Sequence, residues 1–329
     1  MSQVARWSAT AYLLLVPCLW WVGRSQDAVQ VPAWILGTIW LVAVTPLSRV
    51  WAPKEAGWCL AAALATGLVQ ASDPFTLPLL ALYGLIAWLS VQVLAQYPAE
   101  FLERRIVWLA AINGGYWLLQ QTGYDPLFHG HPAGLFSRSN LLAVLVMAAY
   151  PLMARWGKVM AWAVVGWMGN LTALLGMLLT HAMKTTWRHR AILAALGIAA
   201  TGWIVWQAPL KLVCRVEVWK TVFGQGLWSW FYGYGLGAFE TVDPSNIGVW
   251  VYNAYLAAFH IGGALLLVPF LALLWRVHRD LAPSAAKTAL YALAAAALVQ
   301  TPWHFPRLII VTAAIMAAAI QRSADARVG

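Results

Sequence analysis

Residues suited to binding a phosphorylated ligand occur in a polar stretch between apolar runs, in the second half of the chain. Arg215 and Trp219 are four residues apart, so a short helix would place the guanidinium and the indole on one face. Such a pair can hold a phosphate and stack on a sugar or a nucleobase. Gly235 and Gly237 follow, and glycines allow the backbone to approach a bulky ligand closely. This is not a dinucleotide fingerprint, because no strand precedes the glycines and the third glycine is missing.

A second candidate anion site lies where an apolar run begins near the middle of the chain. Ser139 or Asn140 can act as the N-cap of a helix there, which leaves free N–H groups and the positive end of the helix dipole at its mouth. Arg138 adjoins that terminus, so the pattern is compatible with an anion site. The alternative is a capped helix whose arginine only reaches towards the membrane surface.

Three histidines and one further arginine are weaker candidates. His260 lies inside an apolar run, where it either serves function or forms a hydrogen bond between helices. Arg307, in a tight turn between the last two apolar runs, either lines an outer cavity or extends to the membrane surface. His129 and His131 form a loop pair, but no further ligands are spaced for a metal, so we predict no metal site and no cofactor.

The elements that must position these residues are apolar helices. The chain has 329 residues, of which 62% are hydrophobic and 10% charged, whereas soluble proteins have about 45–50% apolar and about 25% charged residues. This composition excludes a disordered chain, a collagen-like repeat and a small disulfide scaffold, and it predicts an all-α polytopic membrane protein. Eleven apolar runs approach the length of about 17–25 residues that a spanning helix needs: 8–23, 32–48, 57–72, 75–96, 105–120, 140–155, 159–182, 191–208, 249–275, 285–301 and 305–321.

The distribution of cations orients these runs. The net charge is +10, and the basic residues lie mostly at the ends of apolar runs, where they indicate cytoplasmic turns and not nucleic-acid binding. The positive-inside rule, by which cytoplasmic turns carry the excess of Lys and Arg, places two longer connections on the outer side, at about 121–139 and 209–248. Basic clusters flank the single run 159–182 on both sides, so either this run is a hairpin broken near Gly169–Asn170 or one cluster faces outward. We predict one transmembrane domain over residues 1–329, with about 10–11 spanning helices and one larger outer loop.

Together, the two candidate sites resemble the O-antigen ligase/polymerase (Wzy-like) superfamily. The resemblance covers roughly residues 118–263 and begins with an "LLQ-x-x-G" stretch at 118–123. The family pattern "G-x-F-x-x-x-N-x-x-A" then opens a span, and "R-x-x-x-W", "G-x-G-x-F" and "N-x-x-L" with a later glycine follow in order. The matching residues are Gly134, Phe136, Asn140, Ala143, Arg215, Trp219, Gly235, Gly237, Phe239, Asn253, Leu256 and Gly263.

This resemblance implies a bacterial inner-membrane enzyme with a GT-C-like glycosyltransferase architecture. Members transfer glycan from an undecaprenyl-diphosphate-linked donor to lipid A core (ligase) or to another glycan (polymerase), by metal-independent inverting chemistry on the outer face. By the same resemblance, Arg215 would be the principal phosphate contact, with Arg138 and either Lys184 or Arg188 as partners. The substrate-binding set implied here is completed by Asn140, Trp219, Gly235, Gly237 and Asn253.

Two departures from the family pattern leave alternatives open. The family has His immediately before the motif Asn, and this chain has Tyr252, a poor base because an unperturbed tyrosine has a pKa near 10. His260 or Glu240 would then have to replace that base. A Thr-x-Ser-Arg step is represented only by residues 180–184, which end in Lys184. The alternatives are a non-catalytic relative that binds lipid-linked glycan and, from another class, a membrane transporter.

Overall fold

The computed structural model describes residues 2–18, 26–48, 51–70, 76–125, 134–136, 139–183, 226–233, 254–298 and 306–328, with scattered positions between 191 and 224. Regular structure in these ranges is entirely helical. The α-helices are α1 (Gln3–Leu15), α2 (Gln26–Val44), α3 (Lys54–Gln70), α4 (Thr76–Leu94), α5 (Ala99–Gln121), α6 (Ser139–Ala149), α7 (Arg155–Met168), α8 (Leu171–Ala182), α9 (Leu227–Tyr232), α10 (Ala254–Asp280), α11 (Ala285–Ala296) and α12 (Pro306–Val328). Ten of the eleven predicted apolar runs overlap one or two of these helices. The run 191–208 lies largely outside the described residues.

The helices form an up-and-down bundle with two distinct ends. At one end α5 begins and α10 and α12 finish: Arg322 of α12 lies 2.8 Å from the Glu103 carboxylate, and the Ser323 hydroxyl accepts from the Ala282 N–H just beyond α10. We call this the basic end, because Arg104, Arg105, Arg276, Arg279, Lys287, Arg322 and Arg327 lie on the helix termini that meet there. At the other end α5 finishes and α6 and α12 begin. We call this the motif end, because Gly134–Phe136 of the sequence pattern lies between α5 and α6.

The core is centred on α6 and α12. The described residues of α6 from Leu141 to Ala149 are all buried, and so are Ala313 to Ala319 of α12. Stretches of nine and seven residues that bury every side chain need neighbours on all sides, and the alanines of α12 allow those neighbours to approach closely. Buried side-chain hydrogen bonds connect α1, α2 and α4, where the Tyr12 and Thr38 hydroxyls lie 3.0 Å apart and the Trp34 indole N–H donates to Ser90 Oγ at 3.2 Å.

The run 159–182 is broken where the sequence predicts a break. Gly169 ends α7 in the left-handed region (φ 60°), which a residue without a Cβ adopts at little cost, and the Asn170 side chain caps α8 by accepting from the Ala173 N–H. Asn170 lies beside Asn140 near the start of α6, and Gly176 lies against Met147 further along it. Because both contacts advance in the same direction, α8 runs parallel to α6 and α7 returns antiparallel. Of the two alternatives, the structure therefore favours the broken hairpin.

Two described helices are long and apolar enough to cross a membrane, Ala254–Asp280 with 27 residues and Arg307–Arg327 with 21. Four shorter apolar helices accompany them, at Val31–Val44, Leu82–Leu94, Ser139–Leu152 and Leu171–Ala182. The sequence-based number of about 10–11 spans remains a prediction.

Candidate functional site

The motif segment Gly134–Phe136 forms a short 3-10 helix that is fixed to α5 by a buried amide. The Asn113 Oδ1 accepts from the Leu135 N–H at 3.0 Å, and its Nδ2 donates to the Leu109 carbonyl at 2.8 Å. Asn113 is completely buried. A buried amide must have its hydrogen bonds satisfied. The Leu135 N–H satisfies the Asn113 oxygen, and this hydrogen bond fixes the position of the segment against α5.

Arg307, the second residue of α12, also contacts this segment. Its Nη1 donates to the Phe136 carbonyl at 2.5 Å, and its guanidinium carbon lies 5.9 Å from the centre of the Phe136 ring. The residue is fully buried, so it neither extends to the membrane surface nor lines an open cavity, and both alternatives drawn from the sequence are wrong. A buried cation is costly unless neighbouring dipoles and π-faces compensate it, and the Phe136 carbonyl and ring both do so.

A polar stripe on α5 continues from Asn113 towards the end of the helix. Tyr116 and Gln120 lie three and seven residues after Asn113, on the same helical face. The Tyr116 hydroxyl donates to Asp125 Oδ1 at 2.7 Å, and the Gln120 amide donates to Asp125 Oδ2 at 3.1 Å. Two donors from rigid helix positions hold this carboxylate just beyond the helix. We refer to Asn113, Tyr116, Gln120, Asp125 and Arg307 as the polar cluster.

Of the catalytic and substrate-binding residues implied by the family pattern, Asn140 is the one that the structure describes. It is exposed, and its Oδ1 accepts from the Asn170 Nδ2 at 3.0 Å. Because α6 begins at Ser139, Asn140 lies within the first turn and its side chain is committed to the α7–α8 break rather than to the N-cap. This hydrogen bond connects the break between α7 and α8 to the start of α6 at the motif end.

The other predicted site residues lie outside the described residues. They are Arg138, Lys184, Arg188, Arg215, Trp219, Gly235, Gly237, Tyr252 and Asn253, together with the weaker candidates His129, His131 and Glu240. The convergence of Arg138 and Arg215, and the roles assigned to both, remain predictions.

Helix α9, which lies within the longer connection 209–248, contacts α10 at two glycines. Gly263 interrupts α10 with φ 57° and ψ −153°, and a Cβ at this position would collide with the backbone of Phe231 in α9. Reciprocally, a Cβ on Gly233 (φ 70°) would collide with the backbone at Ile261 and Gly262. The α9 backbone therefore rests directly on the α10 backbone at the level of the buried His260.

The outward face of α9 is aromatic and apolar. Leu227, Trp228, Trp230 and Phe231 are all exposed, and one face of Trp230 packs edge-on against Phe259 of α10 with ring centres 6.2 Å apart. This arrangement is typical of a segment at a membrane–water interface, where amphipathic rings are favoured.

Sequence reasoning missed the roles of Asn113 and Asp125. The signal for Asn113 was present, since an amide inside the apolar run 105–120 needs a specific partner. The partner itself is 22 residues away, and nothing in local spacing identifies it. Within the described residues, no group of three or more His, Cys, Asp or Glu side chains is arranged to hold a metal ion.

The chain matches no protein-family model, and no curated protein matches it significantly.

Proposed function

We propose that this chain is a multi-pass membrane glycosyltransferase of the O-antigen ligase/polymerase type. It would transfer glycan from undecaprenyl diphosphate to lipid A core or to a growing glycan. The observation that carries the proposal is the buried Arg307 on the Phe136 carbonyl, which fixes a cation beside the segment whose sequence matches the family motif. A purely structural turn has no need of a buried guanidinium, because burying a cation costs free energy that burying an apolar side chain does not.

Glycan transfer requires that the negative charge developing on the diphosphate be stabilised and that the proton of the acceptor hydroxyl be removed. The acceptor hydroxyl oxygen attacks the anomeric carbon, the bond from that carbon to the diphosphate oxygen breaks, and the diphosphate leaves with the electron pair. Arg215, with Arg138 and either Lys184 or Arg188, would stabilise the developing negative charge. The hydroxyl proton passes to a base. Asp125, whose carboxylate is held by two donors at the motif end, is a candidate for that base in addition to Tyr252, His260 and Glu240.

The membrane placement is part of the proposal. Large apolar side chains such as Leu36, Leu68 and Val268 are exposed on the outside of the bundle, which suits lipid better than water. The cation-rich basic end would face the cytoplasm and the motif end the outer side of the inner membrane. A bundle of this kind, with a loop helix resting on its outer end, is compatible with a GT-C-like architecture.

A non-catalytic relative that holds lipid-linked glycan without transferring it is the second candidate. Tyr252 in the position of the family His favours it, because a phenol is a poor base near neutral pH.

The test is glycan transfer by the purified protein in lipid vesicles, using a labelled polyprenyl-diphosphate glycan and an acceptor. We expect transfer by the parent and a loss of about 10²–10³-fold in Arg215→Ala. The matched control is Arg155→Ala, which removes an exposed cation from the start of α7 and is expected to retain activity. A parent that binds the donor without transfer, and gains transfer in Tyr252→His, would establish the second candidate. A parent that neither binds nor transfers would overturn both.

A further inference from the structure

A groove at the basic end is lined by cations from three helices. A cavity of about 570 Å³ is bounded by residues that include Arg279 of α10, Lys287 of α11 and Arg327 of α12. A neighbouring cavity of about 300 Å³ shares Arg327 with it and adds Arg276. We call these four cations and the space between them the basic groove.

The charge of the basic groove is only partly compensated. Asp280 is the one acidic residue lining either cavity in the described part of the chain, so four cations against one carboxylate leave a formal charge of +3. The Asp280 carboxylate forms ion pairs with Arg276 and Arg279, the latter at 3.3 Å. The Arg279 side chain nevertheless remains 60% exposed, so its guanidinium is available to a further anion.

An exposed apolar stripe leads along α10 to this groove. Val268, Leu271 and Trp275 are 63%, 46% and 65% exposed, and Arg279 continues the series at spacings of three, four and four residues. These spacings place all four side chains on one helical face. The Trp275 ring stacks on His278 with centres 5.3 Å apart, which places an aromatic side chain at the rim of the cavity.

We propose that the basic groove seats the phosphate of an anionic membrane phospholipid whose acyl chains lie along the Val268–Leu271–Trp275 stripe. Cations between helices at the cytoplasmic membrane surface suit an anionic headgroup, and a tryptophan at the same level suits the interface. A free phosphate would account for the cations but not for the apolar stripe that leads directly to them. The site is at the opposite end of the bundle from the polar cluster, so the inference rests on the membrane placement proposed above but does not depend on glycan transfer.

The test is native mass spectrometry of the purified full-length protein with an equimolar mixture of phosphatidylglycerol and phosphatidylcholine. We expect the first bound lipid to be phosphatidylglycerol, with at least tenfold preference. Each cation near a membrane surface contributes roughly fivefold in affinity for an anionic lipid. The variant Arg279→Gln/Lys287→Gln/Arg327→Gln should therefore reduce that preference at least tenfold.

The matched control is Arg6→Gln/Arg104→Gln/Arg155→Gln, which removes the same charge from exposed arginines outside the groove. It should change the preference by less than threefold. Equal losses in the two triple variants would show a general charge effect and overturn the site. Arg279→Glu, a single change at an exposed side chain that is compatible with folding, should reduce the preference at least fivefold, and an unchanged preference would also overturn it.

A further arm separates lipid from free phosphate. Inorganic phosphate at millimolar concentration should not displace phosphatidylglycerol from the parent protein, since it lacks the acyl chains. Complete displacement would assign the groove to a soluble phosphate ligand and contradict the proposal.

Discussion

At the scale of the residue, Arg307 is the side chain whose chemistry most needs an explanation. It is fully buried in an apolar bundle, and its Nη1 donates to a carbonyl that is 171 positions away along the chain. Apolar substitution of buried charges is often neutral or stabilising, so a retained buried guanidinium suggests a requirement other than stability. In the proposed transferase, Arg307 would hold the segment Gly134–Phe136 in place and keep a positive charge beside it. Arg307 is therefore a positioning residue.

Arg307→Met is expected to leave the protein folded and to reduce glycan transfer by about 10–100-fold, the loss of one charge-assisted hydrogen bond of about 1.5–3 kcal/mol. Arg307→Lys should recover only part of the activity, because the ammonium keeps the charge but not the planar fork. Transfer rates and the unfolding midpoint in detergent would be measured together, with Arg104→Met as an exposed control. Equal rates for the Met variant and the parent would reduce Arg307 to a packing role.

At the scale of the element, the helices follow from apolar runs, and the break at Gly169–Asn170 follows from a glycine that adopts positive φ and an asparagine that caps. Which helices pack against one another could not be predicted from the sequence in this way. Asn140 was identified from its motif, but its contact with Asn170 depends on how α6 and α8 pack. The short helix α9 was also missed, because its six residues, five of them aromatic or apolar, lie in a loop and show no helical period long enough to detect.

Gly263→Ala is the prediction that belongs to this scale. The φ of 57° and ψ of −153° lie in a region adopted almost only by glycine, and the added Cβ would collide with the Phe231 backbone. We expect a loss of about 1–3 kcal/mol in unfolding free energy, measured by thermal or denaturant unfolding in detergent. Gly115→Ala is the matched control, because Gly115 lies within α5 with nothing near its Cβ position. This control should be neutral or slightly stabilising, and equal destabilisation of both variants would contradict the close α9–α10 contact.

At the scale of the whole molecule, helix direction and charge agree. The parallel course of α6 and α8 brings the end of α8 towards the end where α6 finishes and α7 begins. The basic residues in the first turn of α7 and those that follow α8 in the sequence can thus lie on one side of a membrane, which removes the conflict that a single spanning run created. Most of the predicted anion site remains a sequence prediction, because Arg138 and Arg215 lie outside the described residues.

Cysteine labelling tests the resulting topology. In a background with Cys18, Cys59 and Cys214 replaced by alanine, Ser137→Cys and Ser245→Cys should react with an impermeant maleimide on intact spheroplasts, since both are predicted to lie in outer loops. Ala326→Cys, an exposed position near the end of α12 at the basic end, should react only after permeabilisation. The physical reason is the cost of moving a cation-rich end across the membrane against its preference for the cytoplasmic face. Reaction of Ser137→Cys and Ser245→Cys from opposite sides would separate the two motif segments and exclude a shared site, whereas reaction of Ala326→Cys on intact cells would invert the orientation.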